Sequence, residues 1–184
     1  MRLWLLRHAA VALAPGLCYG VSDVPADPAL TQEAAENAAA FLPSDLPVWT
    51  SALGRTRQLG AALQTLRPDL GAPVADARLN EMHFGRWELQ PWNAVPRSAF
   101  DEWMADFPHH RFGGVESTQL VIQRVGAALR ELIDSGVEEA VWITHAGVIR
   151  AVAYLAANGE AQIASVEQWP REAPQPGGYS QITL

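Results

Sequence analysis

Two short apolar runs constrain the fold of this chain more than any other feature. Residues 2–6, "RLWLL", and 140–144, "AVWIT", are each about one strand long and lack the alternation that leaves one face in water. Strands of that kind are covered on both sides, as in a largely parallel sheet with helices on its two faces. The rest of the chain supplies the helices. Thr31 is placed to cap a helix over 32–42, and Leu59, Leu63 and Leu66 form one stripe of a helix over 54–66. "AFDEWMADF" (99–107) reads as a short helix closed by Pro108, and 117–134 carries apolar residues at helical spacing between Ser117 and Gly136. A further helix over 147–157 follows the second apolar run. "PVWTS" (47–51), an extended piece at Val74, "AQIASVEQW" (161–169) and "YSQITL" (179–184) read as the remaining strands. Strands alternating with helices predict an α/β three-layer sandwich, with a largely parallel mixed sheet.

With 184 residues, the chain is read as one domain, 1–184, with a lid-like excursion at about 86–115. Arg2, a short apolar run and "ALA" at 12–14 imitate a secretory leader, but Arg7 and His8 interrupt the run. A leader needs about 7–15 uninterrupted apolar residues. No segment approaches the ~18 apolar residues of a membrane span. Cys18 is the only cysteine, so no internal disulfide is available and the expected location is cytoplasmic. A formal charge of −7 argues against a nucleic acid or an acidic membrane as partner.

In parallel α/β sheets, ligands bind beyond the carboxyl ends of the strands. Arg7 and His8 follow the first apolar run, and "THAG" (144–147) follows the other, so His8 and His145 meet if those strands are neighbours. "SALGRTRQLG" (51–60) puts Arg55 and Arg57 at a helix start, where residues two apart do not share a face. "RLNEMHFGRWE" (78–88) places Glu81 among apolar and aromatic residues. Each piece alone is weak, because strand-end histidines and arginines are commonly structural. Together they suit phosphoryl transfer. Arginines fork around phosphate oxygens, a neutral imidazole attacks phosphorus, a second, cationic imidazole stabilises the developing charge, and a carboxylic acid protonates the leaving oxygen.

The motifs, in this order, resemble the histidine phosphatase superfamily of phosphoglycerate-mutase-like enzymes. "LWLLRHA", "YGVSDVPADPALT", "SALGRTRQ", "LNEMHFGRWE", "GVEST" and "VWITHAGVIR" carry the resemblance through essentially the whole chain. "RLNEMHFGRWELQPW" followed by "GVEST" is most similar to the alpha-ribazole phosphatase branch of cobalamin synthesis. The resemblance implies that His8 becomes phosphohistidine, that Arg7, Arg55 and His145 hold the phosphate, and that Glu81 acts as acid and then base. Backbone N–H groups near Ala146 are expected to add donors at a helix start. It implies a small phosphomonoester as substrate, with no metal and no cofactor; the oligomeric state stays open.

The chain departs from the family pattern at Ala9 and Ala146, where glycine is usual, and "AVALAP" (10–15) replaces polar residues after the first histidine. Both alanines are expected in ordinary backbone. Trp92, Trp103 and Phe107 either stack on a substrate ring or pack beneath the excursion, and Trp92 is the residue expected to read the ring. Glu81 and His83 alternate along an extended piece, which disfavours joint metal ligation. His109–His110 read as a solvated pair, Cys18 has no activating partner, and Ser117 reads as a helix cap. The competing functions are a mutase, a phosphoprotein phosphatase and a catalytically silent phosphate-binding protein.

Overall fold

The two apolar runs pair with each other at the centre of the sheet. In the computed structural model, which describes residues 1–159 and 162–184, β1 (Arg2–Arg7) lies parallel to β4 (Glu139–Thr144), with Arg7 opposite Thr144. β2 (Val48–Thr50) continues the parallel sheet beyond β4, and β3 (Val74–Ala75) lies at that edge. β5 (Tyr179–Thr183) closes the other edge, antiparallel to β1, which gives the order β3-β2-β4-β1-β5.

The central strands are covered on both faces because their side chains alternate between two apolar layers. Leu3, Leu5, Ala140 and Trp142 face α4 (Thr118–Asp134) and α5 (Ala146–Asn158). Leu6, Val141 and Ile143 face α1 (Pro28–Phe41) and α2 (Gly54–Leu66). Leu3, Leu5, Val141 and Ile143 are fully buried, and each such side chain contributes about 1.5–3 kcal/mol relative to exposure.

Local chemistry shifts some boundaries. α1 begins a turn before the expected Thr31 cap, because Asp27 accepts a bond from Leu30 N at 3.0 Å and Pro28 sits at the first helical position. Thr31 instead donates its hydroxyl to Asp27 O within the first turn. Ser117 does cap α4, accepting from Leu120 N at 3.4 Å. α3 (Arg97–Ala105) starts after Pro96 and ends two residues short of Phe107.

The expected strand at 161–169 is not present among the described residues; Ala161 lies outside them, and Val166–Gln168 is a single 3-10 turn. The free edge of β1 is taken by β5, so this segment buries its apolar residues by covering the core instead. Ile163 is fully buried, with its N–H on Gln119 Oε1, and Val166 and Trp169 lie against the α4–α5 layer. Among the described residues, no helix is long and apolar enough to cross a membrane.

Candidate active site

The register of β1, β4 and β2 puts their carboxyl ends level. His8 N bonds to Thr144 O at 3.1 Å and Ser51 N to Ile143 O at 3.1 Å, so His8, His145 and Ser51 emerge side by side. The rings of His8 and His145 stand 5.0 Å apart.

His8 is almost completely buried, and its Nδ1 lies 2.7 Å from Ala9 O. A carbonyl only accepts, so Nδ1 carries the proton and the neutral ring keeps a lone pair on Nε2. Burial is the main force holding the ring neutral. With the nearby Arg55 and Arg7 charges, it outweighs the Ala9 bond and pushes the pKa down to about 3.

His145 is fully buried and makes the opposite tautomer. Arg55 Nε donates to its Nδ1 at 3.3 Å, so Nε2 carries the proton and donates to Ser51 Oγ at 2.8 Å. Burial first, then the Arg55 charge, drives its pKa well below the usual imidazole range. The second imidazole was expected as a cation; in the resting site it is neutral, and the positive charge resides on the arginines.

Arg55 is fully buried at the first turn of α2, whereas Arg57 is exposed, as the helical spacing requires. Its Nη1 bonds Ser22 O at 2.9 Å and its Nη2 bonds Gly20 O at 2.5 Å, with the Tyr19 ring 5.4 Å away. Three of its five N–H groups are thus engaged among the described residues, which leaves two for a ligand. The loop it grips is fastened from the far side by Glu88. That carboxylate accepts from Gly20 N, Val21 N, Ser22 N, Ser22 Oγ and Phe84 N. Burial alone would raise the Glu88 pKa, but these donors win and hold it below the usual carboxylate value. Asp23, in the same loop, accepts from Gly54 N at 2.6 Å and so caps the helix that carries Arg55. Arg7, half-buried at the end of β1, donates to Pro174 O at 2.8 Å, and its Nε–H is buried without a partner among the described residues.

Glu81 reaches the start of α5, where its Oε2 accepts from Gly147 N at 3.1 Å. A Cβ on residue 147 would overlap Glu81 Oε1, so this approach depends on glycine. The segment that carries Glu81 is held by Arg124, which donates to the carbonyls of Arg78, Asn80 and Glu81 and pairs with Glu116 at 2.7 Å. Glu116 also accepts from His83 N at 2.9 Å, so it supports the segment and does not join the histidines.

The structure brings Arg7, His8, Arg55, Glu81 and His145 to one end of the sheet. Ala146 is the first residue of α5, but the neighbouring N–H, of Gly147, is already engaged by Glu81. Neither Ala9 nor Ala146 has positive φ. Of the two places expected for Trp92, the structure has the packed one: its ring lies among Phe84, Phe100 and Phe112, with ring centroids 5.6–6.4 Å away. A cavity of about 290 Å³ beside Glu81 is lined instead by Trp103 and Trp169. Cys18 is buried, and burial, followed by the Glu88 charge, pushes its thiol up to about 12, where it is inert. His109 is exposed and contacts Gln162 away from the site. Among the described residues, no group of three or more His, Cys, Asp or Glu side chains is placed to hold a metal ion.

Sequence reasoning does not reach Glu88, Arg124, Asp23 or Ser51 as parts of the site. Glu88 lies in the quoted "FGRWE", and Arg124 is the charged residue beside the apolar stripe of Val121 and Val125; both give only these faint signals.

The model of the histidine phosphatase superfamily (branch 1) matches residues 3–174. The chain belongs to that superfamily. Its members are phosphatases or mutases that act on small phosphorylated substrates, and membership supports phosphatase or phosphoryl-transfer activity. Among solved structures, it is similar to TTHB049 from Thermus thermophilus, with 29% identity over 99% of this chain and 93% of that one and a TM-score of 0.70. It is also similar to a phosphoglycerate mutase from Thermus thermophilus, with 29% identity, 99% and 92% coverage and a TM-score of 0.70. Mycobacterial hydrolase 1 shares the fold, with a TM-score of 0.81 at 21% identity over 98% of this chain and 87% of that one. No curated protein matches the chain.

Proposed function

We propose that the protein is a cytoplasmic phosphomonoester hydrolase that works through phospho-His8. The carrying observation is the bond between His8 Nδ1 and Ala9 O, which fixes the tautomer with a free Nε2 lone pair in a ring held neutral. In the first step Nε2 attacks phosphorus, the bond to the substrate oxygen breaks, and Glu81 in its acid form gives that oxygen a proton. In the second step water attacks the phosphohistidine, Glu81 takes the water proton, and inorganic phosphate leaves with His8 regenerated. Arg7 and Arg55 stabilise the equatorial oxygens in both steps through donors that need no reorganisation at the moment of reaction.

The proposed substrate is alpha-ribazole 5′-phosphate or a similar small ring-bearing metabolite, on the resemblance of "RLNEMHFGRWELQPW" and "GVEST" to that branch. A second reading, mutase-type transfer back to another hydroxyl, is favoured by the similarity to the Thermus phosphoglycerate mutase. Rapid quenching with a ³²P-labelled ester separates them. Hydrolysis gives an acid-labile phosphoenzyme followed by free phosphate, and a mutase returns label to an isomeric ester. His8→Ala is expected to abolish both turnover and the trapped phosphoenzyme; full activity in this variant would remove the mechanism.

A further inference from the structure

A phosphate bound by His8 and the two arginines leaves the alcohol of the substrate on the side of Glu81, which protonates the leaving oxygen. On that side the chain forms the cavity of about 290 Å³, bounded by Glu81, Met82, Trp103, Phe107, Arg150 and Trp169. Its apolar wall is continuous. Trp103 stacks on Phe107 with centroids 5.7 Å apart, and Trp169 meets the edge of Phe107 at 6.2 Å. Trp103 and Trp169 are only partly buried, so apolar ring surface is left uncovered beside the acid. Arg150, one turn into α5, is the cation of this wall. Its Nε–H is buried without a partner among the described residues, and its Nη2 reaches only Arg171 O, at 3.2 Å.

We propose that the substrate alcohol carries a flat, apolar ring system seated against Trp103, Phe107 and Trp169, and that an acceptor on the ring is taken by Arg150. The proposal rests on the phosphatase reading of the same site. A polar sugar with no ring attached would press its hydroxyls against this wall and lose their water without replacement. A ring replaces that loss with stacking, and an anionic or carbonyl acceptor satisfies the guanidinium.

The test is calorimetric binding of ethylphosphonate, benzylphosphonate and 4-carboxybenzylphosphonate, none of which can be hydrolysed. Benzylphosphonate is expected to bind about five-fold tighter than ethylphosphonate, and the added carboxylate to tighten binding again by about five-fold. Trp169→Ala should remove the first difference and Trp169→Phe should keep most of it; Arg150→Gln should remove only the second. Equal binding of the ethyl and benzyl compounds by the wild-type protein overturns the ring site. A carboxylate without effect overturns the role of Arg150. Trapping of phosphoenzyme from p-nitrophenyl phosphate tests the catalytic reading separately. Phosphoenzyme without ring preference defeats this inference alone, and ring preference without phosphoenzyme defeats the catalytic reading alone.

Discussion

Gly147→Ala isolates the placement of the proton donor from the rest of the site. The added Cβ would overlap Glu81 Oε1, the far end of a flexible side chain, so the carboxylate can swing away while the backbone stays in place. The bond from Gly147 N to Glu81 Oε2, 3.1 Å in the native protein, is lost with that swing. Position 147 is the second residue of α5, where alanine is a better helix former than glycine by up to about 1 kcal/mol. The melting temperature is therefore expected to hold or rise slightly. Catalysis should not hold. General acid help is worth ~10²–10⁴-fold, and a displacement of about 1 Å removes on the order of 10²-fold.

The loss must depend on the leaving group. An alkyl phosphate releases an alkoxide that needs the proton, so its kcat/KM should fall about 100-fold. p-Nitrophenyl phosphate releases a stable phenolate, and it should lose no more than about three-fold, because the three atoms nearest the new methyl group all belong to Glu81. The assay is steady-state kinetics on both esters, with a thermal melt of each protein. Equal losses on the two esters would show that the methyl group disturbs the phosphate site, not the acid. No loss on either would remove Glu81 from proton transfer.

The buried neutral histidines make stability depend on pH. The native His8 refuses a proton until about pH 3, whereas the unfolded residue takes one near its ordinary 6.5. The unfolded chain therefore binds more protons in this window, and stability falls as pH is lowered from about 6.5 toward about 3, by up to about 1.4 kcal/mol per pH unit per such histidine. Urea midpoints at pH 7 and pH 4.5 check it, and His8→Asn should flatten the slope; an unchanged slope would mean that His8 is not the proton-refusing group. Glu88→Gln should loosen the 20–22 loop, since an amide nitrogen would face N–H groups that now meet a carboxylate. It should lower stability by about 1–3 kcal/mol and raise KM for every phosphomonoester through Arg55, whereas a KM rise confined to ring-bearing esters would contradict this route.

What could be read from the sequence, and what could not, divides on the range of the interactions involved. The position of a residue after a buried strand is a local property, so once "RLWLL" and "AVWIT" are taken as parallel neighbours, His8 and His145 meet without further information. Arg55 follows from the same logic, because the turn after β2 leaves one arginine facing inward and the next outward. The helix start at Asp27 was open to the same reading, but Thr31 competes for it, and the preference of proline for the first helical position decides.

The tryptophans were not legible for a different reason. Trp92 and Trp103 offer the same apolar surface and both pack on Phe112, and only the fold of 91–112 leaves Trp103 lining the cavity as well while Trp92 stays within the aromatic cluster. Trp169 arrives from a segment that reads as a strand but cannot pair, because β5 already holds the edge of β1. The supports of the site are the least visible of all. Glu88 binds a loop 66–68 residues away, and Arg124 gathers carbonyls 43–46 residues away. Their partners are mostly backbone groups, which every residue has, so no side-chain pattern in the sequence marks them. The reacting groups carry distinctive side chains at strand ends, while their precision comes from buried charges bonded to anonymous backbone. Substitutions at Glu88 and Arg124 are therefore where activity should be lost without any change in the five residues that do the chemistry.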